Sequence, residues 1–430
     1  MKTTIKNLQA LSTNSVRADA LAIAEVGFAA AAVDDAVKKK IRVENGQLHI
    51  NDATYRLAGR QVFFVGVGKC ALRGARAIGA LLGEALSGGI VLDVSVPDGA
   101  YIPKMEIYVG THPLPTEVNE RASKRILEFL SGHHEDDLVI MLISGGGSSL
   151  LCLHDTHMTC ADETTLFETL TAHGAPIQDI NIVRKHISRA RGGALAAAAY
   201  PAEIVSLIVS DVPGDDLATI ASGPTILDSS TIADAQAVLE RYGISPSGRV
   251  TFRETPKEKK YFIRVTNTLF LSNRDALTSM QEEAVRRGYT THVVEAPFAG
   301  EARKLGRAIV EKLHDSATKT ALLYAGESTV TLEARAGKGG RNQEMALAAL
   351  MDIHDDELIL PFASDGHDNT EHAGAIADKV TKAHATEKNL SMEEYLNAHR
   401  SYDFFTAADD ALTTGYTGSN VSDLIIALKN

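Results

Sequence analysis

The sequence predicts an α/β fold in two α/β domains, and three observations carry that expectation. Short, continuous apolar runs such as Q-V-F-F-V-G-V-G (Gln61–Gly68) and L-V-I-M-L-I (Leu138–Ile143) alternate with stretches of helical spacing. This is the pattern of a parallel sheet covered by helices on both faces. Several runs stop at Gly, Ser or Asp, at the strand ends where open α/β sheets bind ligands. At 430 residues the chain also exceeds one ordinary core. The pattern weakens between Thr225 and Lys260, so the division is expected at 245/246, with domains 1–245 and 246–430.

The first domain begins with Val16–Lys40, alanine-rich and read as one long helix, followed by the weak strand Leu48–Leu57. The strand Gln61–Gly68 and the helix Lys69–Leu86 come next, then strands at Gly89–Val96 and Met105–Gly110. Thr116 fits a helix N-cap with Glu120 in the following turn, and that helix runs to Leu130. After Leu138–Ile143, a helix is expected from about Asn181 and a strand at Ile204–Ser210. The second series has strands at Phe262–Leu271, Thr290–Val294, Thr320–Tyr324 and Leu358–Phe362. Its helices are Arg274–Gly288, Glu301–Leu313 and Arg341–Leu350.

Composition excludes several classes of partner. There are 43 Lys and Arg against 55 Asp and Glu, a formal charge of −12. That balance argues against nucleic acid or an anionic membrane surface, so an anionic substrate needs a local basic site. No apolar stretch reaches the ~18 residues of a membrane span, and Met1–Asp19 has no signal-peptide core. The three cysteines, Cys70, Cys152 and Cys160, are sparse and odd in number. They point to a reducing compartment, and a soluble cytoplasmic protein is expected.

The chain is organised around Leu138–Leu151, L-V-I-M-L-I-S-G-G-G-S-S-L-L. Gly145, Gly146 and Gly147 carry no Cβ and let a ligand approach the backbone, beside the hydroxyls of Ser144, Ser148 and Ser149. A helix starting at Ser148 would add its N–H groups and dipole for phosphate or carboxylate oxygens. The alternative is a tight strand-to-helix turn. In V-G-V-G-K-C-A (Val65–Ala71), Gly66, Gly68 and Ala71, with Asp93 at the next strand end, match the Rossmann-like dinucleotide fingerprint and suggest an NAD(P) oxidoreductase. Lys69 inside the loop favours instead a ligand of higher negative charge.

S-D-V-P-G-D-D-L-A-T-I-A-S-G-P-T (Ser210–Thr225) offers Asp211, Asp215 and Asp216. They could ligate a phosphate-bridging Mg²⁺ or supply a base; an Asx-turn and cap would occupy Asp215 or Asp216 but does not account for Asp211. N-I-V-R-K-H-I-S sets Arg184, Lys185 and His186 at an expected helix start, as a carboxylate clamp or a solvated turn. A-G-E-S-T-V-T-L-E-A-R-A-G-K-G-G-R-N-Q-E (Ala325–Glu344) reads as two strands and a glycine loop. That loop delivers Arg341, Asn342 and Gln343 to a helix start, where an arginine can stabilise a transferring phosphoryl group. A-S-D-G-H-D-N-T, with Asp365 and Asp368, and T-G-Y-T-G-S-N-V-S-D-L, with Asn420, read equally as sites or polar turns. C-L-H-D-T-H-M-T-C could offer Cys152, His154, His157 and Cys160 to zinc. Its spacing matches no common structural pattern, and a loop is the preferred reading.

Together these stretches, with T-H-P-L-P-T, G-E-S-T-V-T and S-D-G-H-D, occur in one order from Val65 to the C-terminus. In that order the chain resembles the glycerate 2-kinases whose C-terminal half is the MOFRL domain. The resemblance implies ATP- and Mg²⁺-dependent phosphorylation of D-glycerate on its 2-hydroxyl, in a cleft between the two domains, and admits a homodimer. It implies that Lys69 and Arg341 hold or polarise the transferring phosphate, and that Asp211 is the base or, with Asp216, a metal ligand. Gly68, the Ser144–Ser149 loop, Arg184, Lys185, Glu327, Asn342, Gln343, Asp365 and Asn420 would bind substrate or nucleotide. Asn369 and Glu371 stand where the family usually shows G-P-T-D, Ser419 replaces a threonine, and Ser422 often reads as asparagine. A neighbouring hydroxy acid therefore stays open as substrate. An NAD(P)-dependent hydroxypyruvate reductase is the alternative, on Gly66, Gly68, Ala71 and Asp93.

Overall fold

The computed structural model describes residues 3–155, 157–246, 248–294, 298–331 and 337–430. The chain folds as two compact units interleaved in sequence. One comprises Val33–Asp211 and Asp215–Phe270; the other comprises the residues up to Ala32, Val212–Gly214 and Leu271–Asn430.

The first unit opens with a small antiparallel sheet of β1 (Ile41–Glu44), β2 (Gln47–Ile50) and β3 (Ala53–Arg56). Its main sheet contains β4 (Val62–Val67), β5 (Leu86–Asp93), β6 (Met105–Val109), β7 (Leu138–Ile143), β8 (Glu203–Val209) and β9 (Val265–Leu271), in the order β6-β5-β4-β7-β8-β9. The pairings from β6 through β8 are all parallel. All six residues of β7 are buried, which explains why the run is apolar without alternation. From β4 the chain winds outward to β5 and β6, then returns to place β7 and β8 on the other side. The switch point therefore falls between the carboxyl ends of β4 and β7, the position at which such sheets bind ligands. The helix Ala71–Leu82 packs Ala71, Leu72, Ala75, Ile78 and Leu82 inward at helical spacing. It lies close to β7, because a Cβ at Gly74 would sit 2.1 Å from Leu142 Cδ2.

The second unit holds β10 (Thr290–Val293), β11 (Phe298–Glu301), β12 (Thr320–Thr329), β13 (Glu357–Ala363), β14 (Gly374–Ala375), β15 (Ala377–Asp378), β16 (Ala411–Leu412) and β17 (Asp423–Lys429). Its order is β10-β12-β17-β13-β14-β16, with β11 beside β12 and β15 beside β13. β17 lies between β12 and β13, antiparallel to both. The helix Arg341–Asp352 is buried all round from Asn342 to Leu350, as a helix inside a core must be.

The N-terminal helix Ser15–Ala30 belongs to this unit. Asn14 caps it, its side chain accepting the Arg17 N–H at 2.9 Å. The buried Arg17 guanidinium donates from Nε and Nη2 to Asp378 at 2.8 and 2.7 Å, and from Nη1 to Asp410 at 2.6 Å. Nη2 also reaches Thr381 Oγ1 at 2.9 Å.

The structure amends several expectations. Val16–Lys40 is two helices, Ser15–Ala30 and Val33–Lys40, broken where the chain passes from one unit to the other. Thr116 caps its helix with Glu120 in the first turn, as expected, and the structure adds a reciprocal partner, Asn119, whose Oδ1 accepts from Thr116 N at 3.4 Å. The division expected at 245/246 is displaced, because β9 adds to the first sheet and the second unit resumes at Leu271. The second strand expected after Glu327 falls largely on residues 332–336, outside those described. Among the described residues no helix is long and apolar enough to cross a membrane.

Replacing Arg17 by Met would leave the buried Asp378 without its cation and Asp410 with His384 alone, at a cost of about 3–5 kcal/mol. The expected outcome is a clear fall in the urea midpoint. An unchanged midpoint would remove the network from the account of this unit's stability.

Candidate active site

The carboxyl end of β4 and that of β7 meet through backbone. Lys69 N–H donates to Gly145 O at 2.9 Å, and Ser144 N–H to Val67 O at 2.9 Å. Gly68 has φ +121°, and a Cβ there would lie 2.1 Å from Ser144 Oγ and 2.6 Å from Ser144 O. Only glycine satisfies both the conformation and the approach. A Cβ on Gly146 would sit 3.2 Å from Lys69 Cγ and 3.2 Å from His112 Cδ2, so the lysine side chain runs along the glycine loop. Lys69, Gly68 and Gly145–Gly147 are thus brought together as the sequence suggested.

The loop's hydroxyls are used differently from the expectation. Ser144 Oγ lies 3.3 Å from Cys70 N and accepts its N–H. Ser148 Oγ pairs with Ser222 Oγ at 2.8 Å, and Ser149 Oγ donates to Pro113 O at 2.6 Å. The helix expected from Ser148 is one turn, Gly147–Leu150, too short to provide a substantial dipole. Glycine backbone and the stem of Lys69 line the rest of the loop. Ala221 and Ser222, both at positive φ (51° and 58°), close over this loop; a Cβ on Gly147 would lie 2.5 Å from Ala221 Cβ. Two consecutive left-handed non-glycine residues are strained, and such strain clusters at functional loops.

The dinucleotide fingerprint does not hold as read. Asp93 is buried, and its carboxylate accepts the N–H groups of Leu72 at 2.8 Å, Val94 at 2.7 Å and Ser95 at 3.2 Å. It caps the helix Ala71–Leu82 and is not presented to a ribose. Burial raises the Asp93 carboxyl above its ordinary range against these bonds. Burial also pushes the Cys70 thiol up to about 12, with the charges of Asp93 and Asp211 adding to the effect. Asp211, at the end of β8, therefore acts electrostatically on the Gly68–Cys70 turn. Asp216 shapes its own turn, accepting from Ala218 N at 3.1 Å and Thr219 Oγ1 at 2.7 Å.

Arg184, Lys185 and His186 lie in the last turn of the helix Ile177–His186, not at a helix start. Arg184 is buried against Glu163 (3.4 Å) and over the Phe167 ring, and desolvation lowers its guanidinium to about 10. Lys185 pairs with Asp228 at 3.3 Å. Neither stands as a ligand clamp. The sequence reading missed Glu163 and Arg191. Arg191 forks onto Glu163 through Nη2 and Nη1 at 2.8 and 3.1 Å, while its Nε donates to Ser148 O at 2.9 Å. Burial opposes Glu163's charge, but Arg191, His154 and Arg184 hold its carboxyl down at about 2. Cys152 and Cys160 form a disulfide beside His154. His157 is exposed and outside this group.

In the second unit Arg341 opens its helix. Nε and Nη2 fork onto the buried Asp423 at 2.5 and 3.2 Å, and Nη1 donates to the half-exposed Glu327 at 2.5 Å. Asn342 and Gln343 do not face outward: their N–H groups donate to Asp368 at 3.0 and 2.8 Å, and Gln343 Nε2 reaches Asp368 and Thr370. Gly340 makes room for this, since a Cβ there would lie 2.2 Å from Asp368 Cγ. Asp365 accepts the His367 N–H at 3.0 Å in a local turn, and Asn420 is partly buried in the loop before β17. A cavity of about 300 Å³ opens beside Arg341, lined by Ser328, Thr329, Gly337, Gly339 and Gly340 among others. The buried Ser328 Oγ has no hydrogen-bond partner among the described residues. An open glycine wall, hydroxyls and a guanidinium suit a polyanionic ligand.

Gly68→Ala is expected to lower stability by at least ~1–3 kcal/mol through backbone strain and to open the loop contact. A wild-type melting curve would refute the close approach. Burial pushes Asp423 up to about 7 against the pull of Arg341. The protonated acid favours the folded chain, so its contribution is complete below its ordinary value of 3.8 and is lost as the pH rises through about 7. Asp423→Asn should therefore flatten the decline in Tm over that interval relative to the wild type.

Residues 19–253 match the family described as "Domain of unknown function (DUF4147)", and residues 320–423 match the MOFRL family. The chain is 35% identical to a glycerate 2-kinase of Pyrococcus horikoshii, with 94% of this chain and 95% of that protein covered. It is 35% identical to a D-glycerate 2-kinase of Thermotoga maritima over 91% and 96% of the two chains. A putative hydroxypyruvate reductase of Agrobacterium vitis is 37% identical over 87% of this chain and 88% of its own length. The crystal structure of glycerate kinase from Thermotoga maritima superposes with a TM-score of 0.84 at 34% identity, covering 97% of this chain and all of that one. The chain belongs to the MOFRL-type (class II) glycerate kinase family and is a kinase.

Proposed function

We propose that this protein transfers the γ-phosphoryl group of ATP to the 2-hydroxyl of D-glycerate, with Mg²⁺ and in the cytoplasm. The observation that carries the reading is the Lys69 side chain laid along the Gly145–Gly147 loop at the sheet's switch point, in a chain of this family. Phosphoryl transfer asks for positioning and charge neutralisation more than for covalent chemistry. Glycine backbone allows close approach to phosphoryl or carboxylate oxygens, and the Lys69 ammonium offsets their charge. Arg341 is proposed to serve the same end. Asp423 fixes two arms of its guanidinium, while the third rests on Glu327, whose side chain is 47% exposed. An exposed pair is weak, so exchanging Glu327 for a phosphate oxygen costs little.

The chain's donors fit a magnesium ion. Asp211 lies two residues beyond the end of β8, at the carboxyl edge of the sheet, and one or two carboxylates suffice for Mg²⁺. Asp216 is less suited, since both its oxygens shape the local turn. When bound, Mg²⁺ would neutralise charge on the phosphate being transferred. Asp211 is also the proposed acceptor of the substrate's hydroxyl proton, since a carboxylate can serve as a general base.

Lys69→Ala is expected to lower kcat by orders of magnitude with the fold retained; near-normal turnover would refute its role. Asp211→Asn should abolish activity at every Mg²⁺ concentration, whereas recovery at high Mg²⁺ would leave it a metal ligand only. The reading as a whole is tested by incubating the protein with D-glycerate, ATP and Mg²⁺ and identifying the product by phosphorus NMR. 2-Phosphoglycerate supports it. NAD(P)H oxidation with hydroxypyruvate, without phosphorylation, overturns it.

A further inference from the structure

The segment T-H-P-L-P-T (Thr111–Thr116) follows β6 and leads into the helix Glu117–Leu130. β6 is the edge strand, separated from β7 by β5 and β4; three steps of ~4.8 Å put it roughly 14 Å away. The crossover to β7 requires the chain to come back along the sheet. It does not require a polar ring to stop at the glycine loop, and that is where His112 stops. A Cβ on Gly146 would lie 3.2 Å from His112 Cδ2, 3.5 Å from His112 Nε2 and 3.2 Å from Lys69 Cγ. The edge of the imidazole that carries Nε2 and the stem of Lys69 therefore flank the same glycine.

The backbone on either side of His112 is tied to the continuation of that loop. Gly110 N–H donates to Asp93 O at 2.8 Å, and a Cβ on Gly110 would lie 2.4 Å from Leu150 Cδ2. The buried Asn119 amide accepts the Thr111 N–H at 2.9 Å and donates to Thr111 O at 2.9 Å and to Ser149 O at 3.0 Å. On the other side, Ser149 Oγ donates to Pro113 O at 2.6 Å. Thr111 and Pro113 are thus held to one residue of the loop, while His112 between them stays exposed. A polar ring kept in solvent on a rigid mount is what precise contact with a ligand requires.

We propose that His112 is a further substrate-binding residue of this site, its imidazole donating to an oxyanion held over Gly146 between His112 and Lys69. The inference rests on the phosphoryl-transfer reading above and deepens it, because it adds a second side-chain donor to the glycine loop. Two oxyanions share this chemistry, the carboxylate of the hydroxy acid and the phosphoryl group of the nucleotide. The two donors differ in what they fix. The lysine ammonium is a point charge on a flexible four-carbon stem, whereas the imidazole N–H is a directional donor on a short side chain. Lys69 therefore supplies charge, and His112 supplies orientation.

The test titrates the full-length protein by calorimetry with D-glycerate and, separately, with ATP and Mg²⁺, in the wild type, His112→Phe and His112→Gln. Phenylalanine keeps a ring against Gly146 but has no donor, while glutamine offers an N–H near the place of Nε2. His112 is exposed, so both variants should melt with the wild type. His112→Phe should raise the Kd of one ligand roughly ten- to a hundredfold, the worth of one charge-assisted hydrogen bond, and His112→Gln should recover much of it. A loss confined to D-glycerate identifies the carboxylate, and one confined to ATP identifies the phosphoryl group; in turnover the KM of that ligand alone should rise. A ring that serves only as packing gives the reverse order, with His112→Phe unchanged and His112→Gln impaired. That order overturns the proposal, as do equal losses for both ligands, unchanged Kd values in His112→Phe, or no binding of either ligand to the wild type. Product formation separates this outcome from the wider reading. His112-dependent binding without 2-phosphoglycerate would overturn the phosphoryl-transfer reading and leave His112 in place, and normal 2-phosphoglycerate formation with unchanged Kd values in His112→Phe would do the opposite.

Discussion

Both units satisfy the start of a helix with a buried carboxylate of their own. Asp93 takes the Leu72 N–H after the turn at Gly68, and Asp368 takes the N–H groups of Asn342 and Gln343 after the turn at Gly340. The positive end of a helix is ordinarily the first place to look for a bound phosphate. Here it is already neutralised from within, and the helix starts become fixed points around which the turns are built. In the proposed reading, anion recognition falls instead to bare glycine backbone and to the side chains of Lys69 and Arg341. Beside Asp368 this also explains the need for glycine: a Cβ on Gly340 would lie 2.2 Å from the Asp368 Cγ.

A second buried acid organises the far side of the glycine loop. Glu163 gathers Arg184, Arg191 and His154, and through Arg191 it reaches the carbonyl of Ser148. An unpaired charge at that depth would be severely destabilising, so the four side chains stand or fall together. The loop is consequently held from behind by ionic contacts and in front by Ser222 and Asn119, the latter donating to Ser149 O. Its backbone is presented on a rigid support, as a positioning catalyst requires.

The sequence was most legible where one residue type answers to one physical demand. Continuous apolar runs became buried parallel strands, and Gly68 and Gly145–Gly147 became a close backbone contact at the strand ends. It was least legible where a side chain's partner is distant. Nothing local to Arg184 and Lys185 announces Glu163 or Asp228, so basic residues that read as a clamp proved to be buried pairs. Asp93 fitted a ribose-binding position in spacing, yet spacing cannot show that three N–H groups compete for its oxygens. β17, D-L-I-I-A-L-K, is an ordinary buried strand masked in the sequence by the polar loop that runs directly into it. β9 was assigned to the wrong unit because strand pairing, not sequence proximity, decides which sheet a strand joins.

Arg17 has a consequence for the order in which the chain can complete itself. Its partners Asp378 and Asp410 are made late, 361 and 393 positions after it (378 − 17 and 410 − 17). At ribosomal rates of about 5–20 residues per second, the leading helix waits on the order of 20–80 seconds for them. During that interval its apolar face, including Leu21, Ile23 and Phe28, has no strands to cover it. The intervening unit, whose strands are adjacent in sequence, can close meanwhile. The emerging protein thus carries an unburied hydrophobic leader through most of its synthesis, a period when chaperone capture and premature self-association compete with folding.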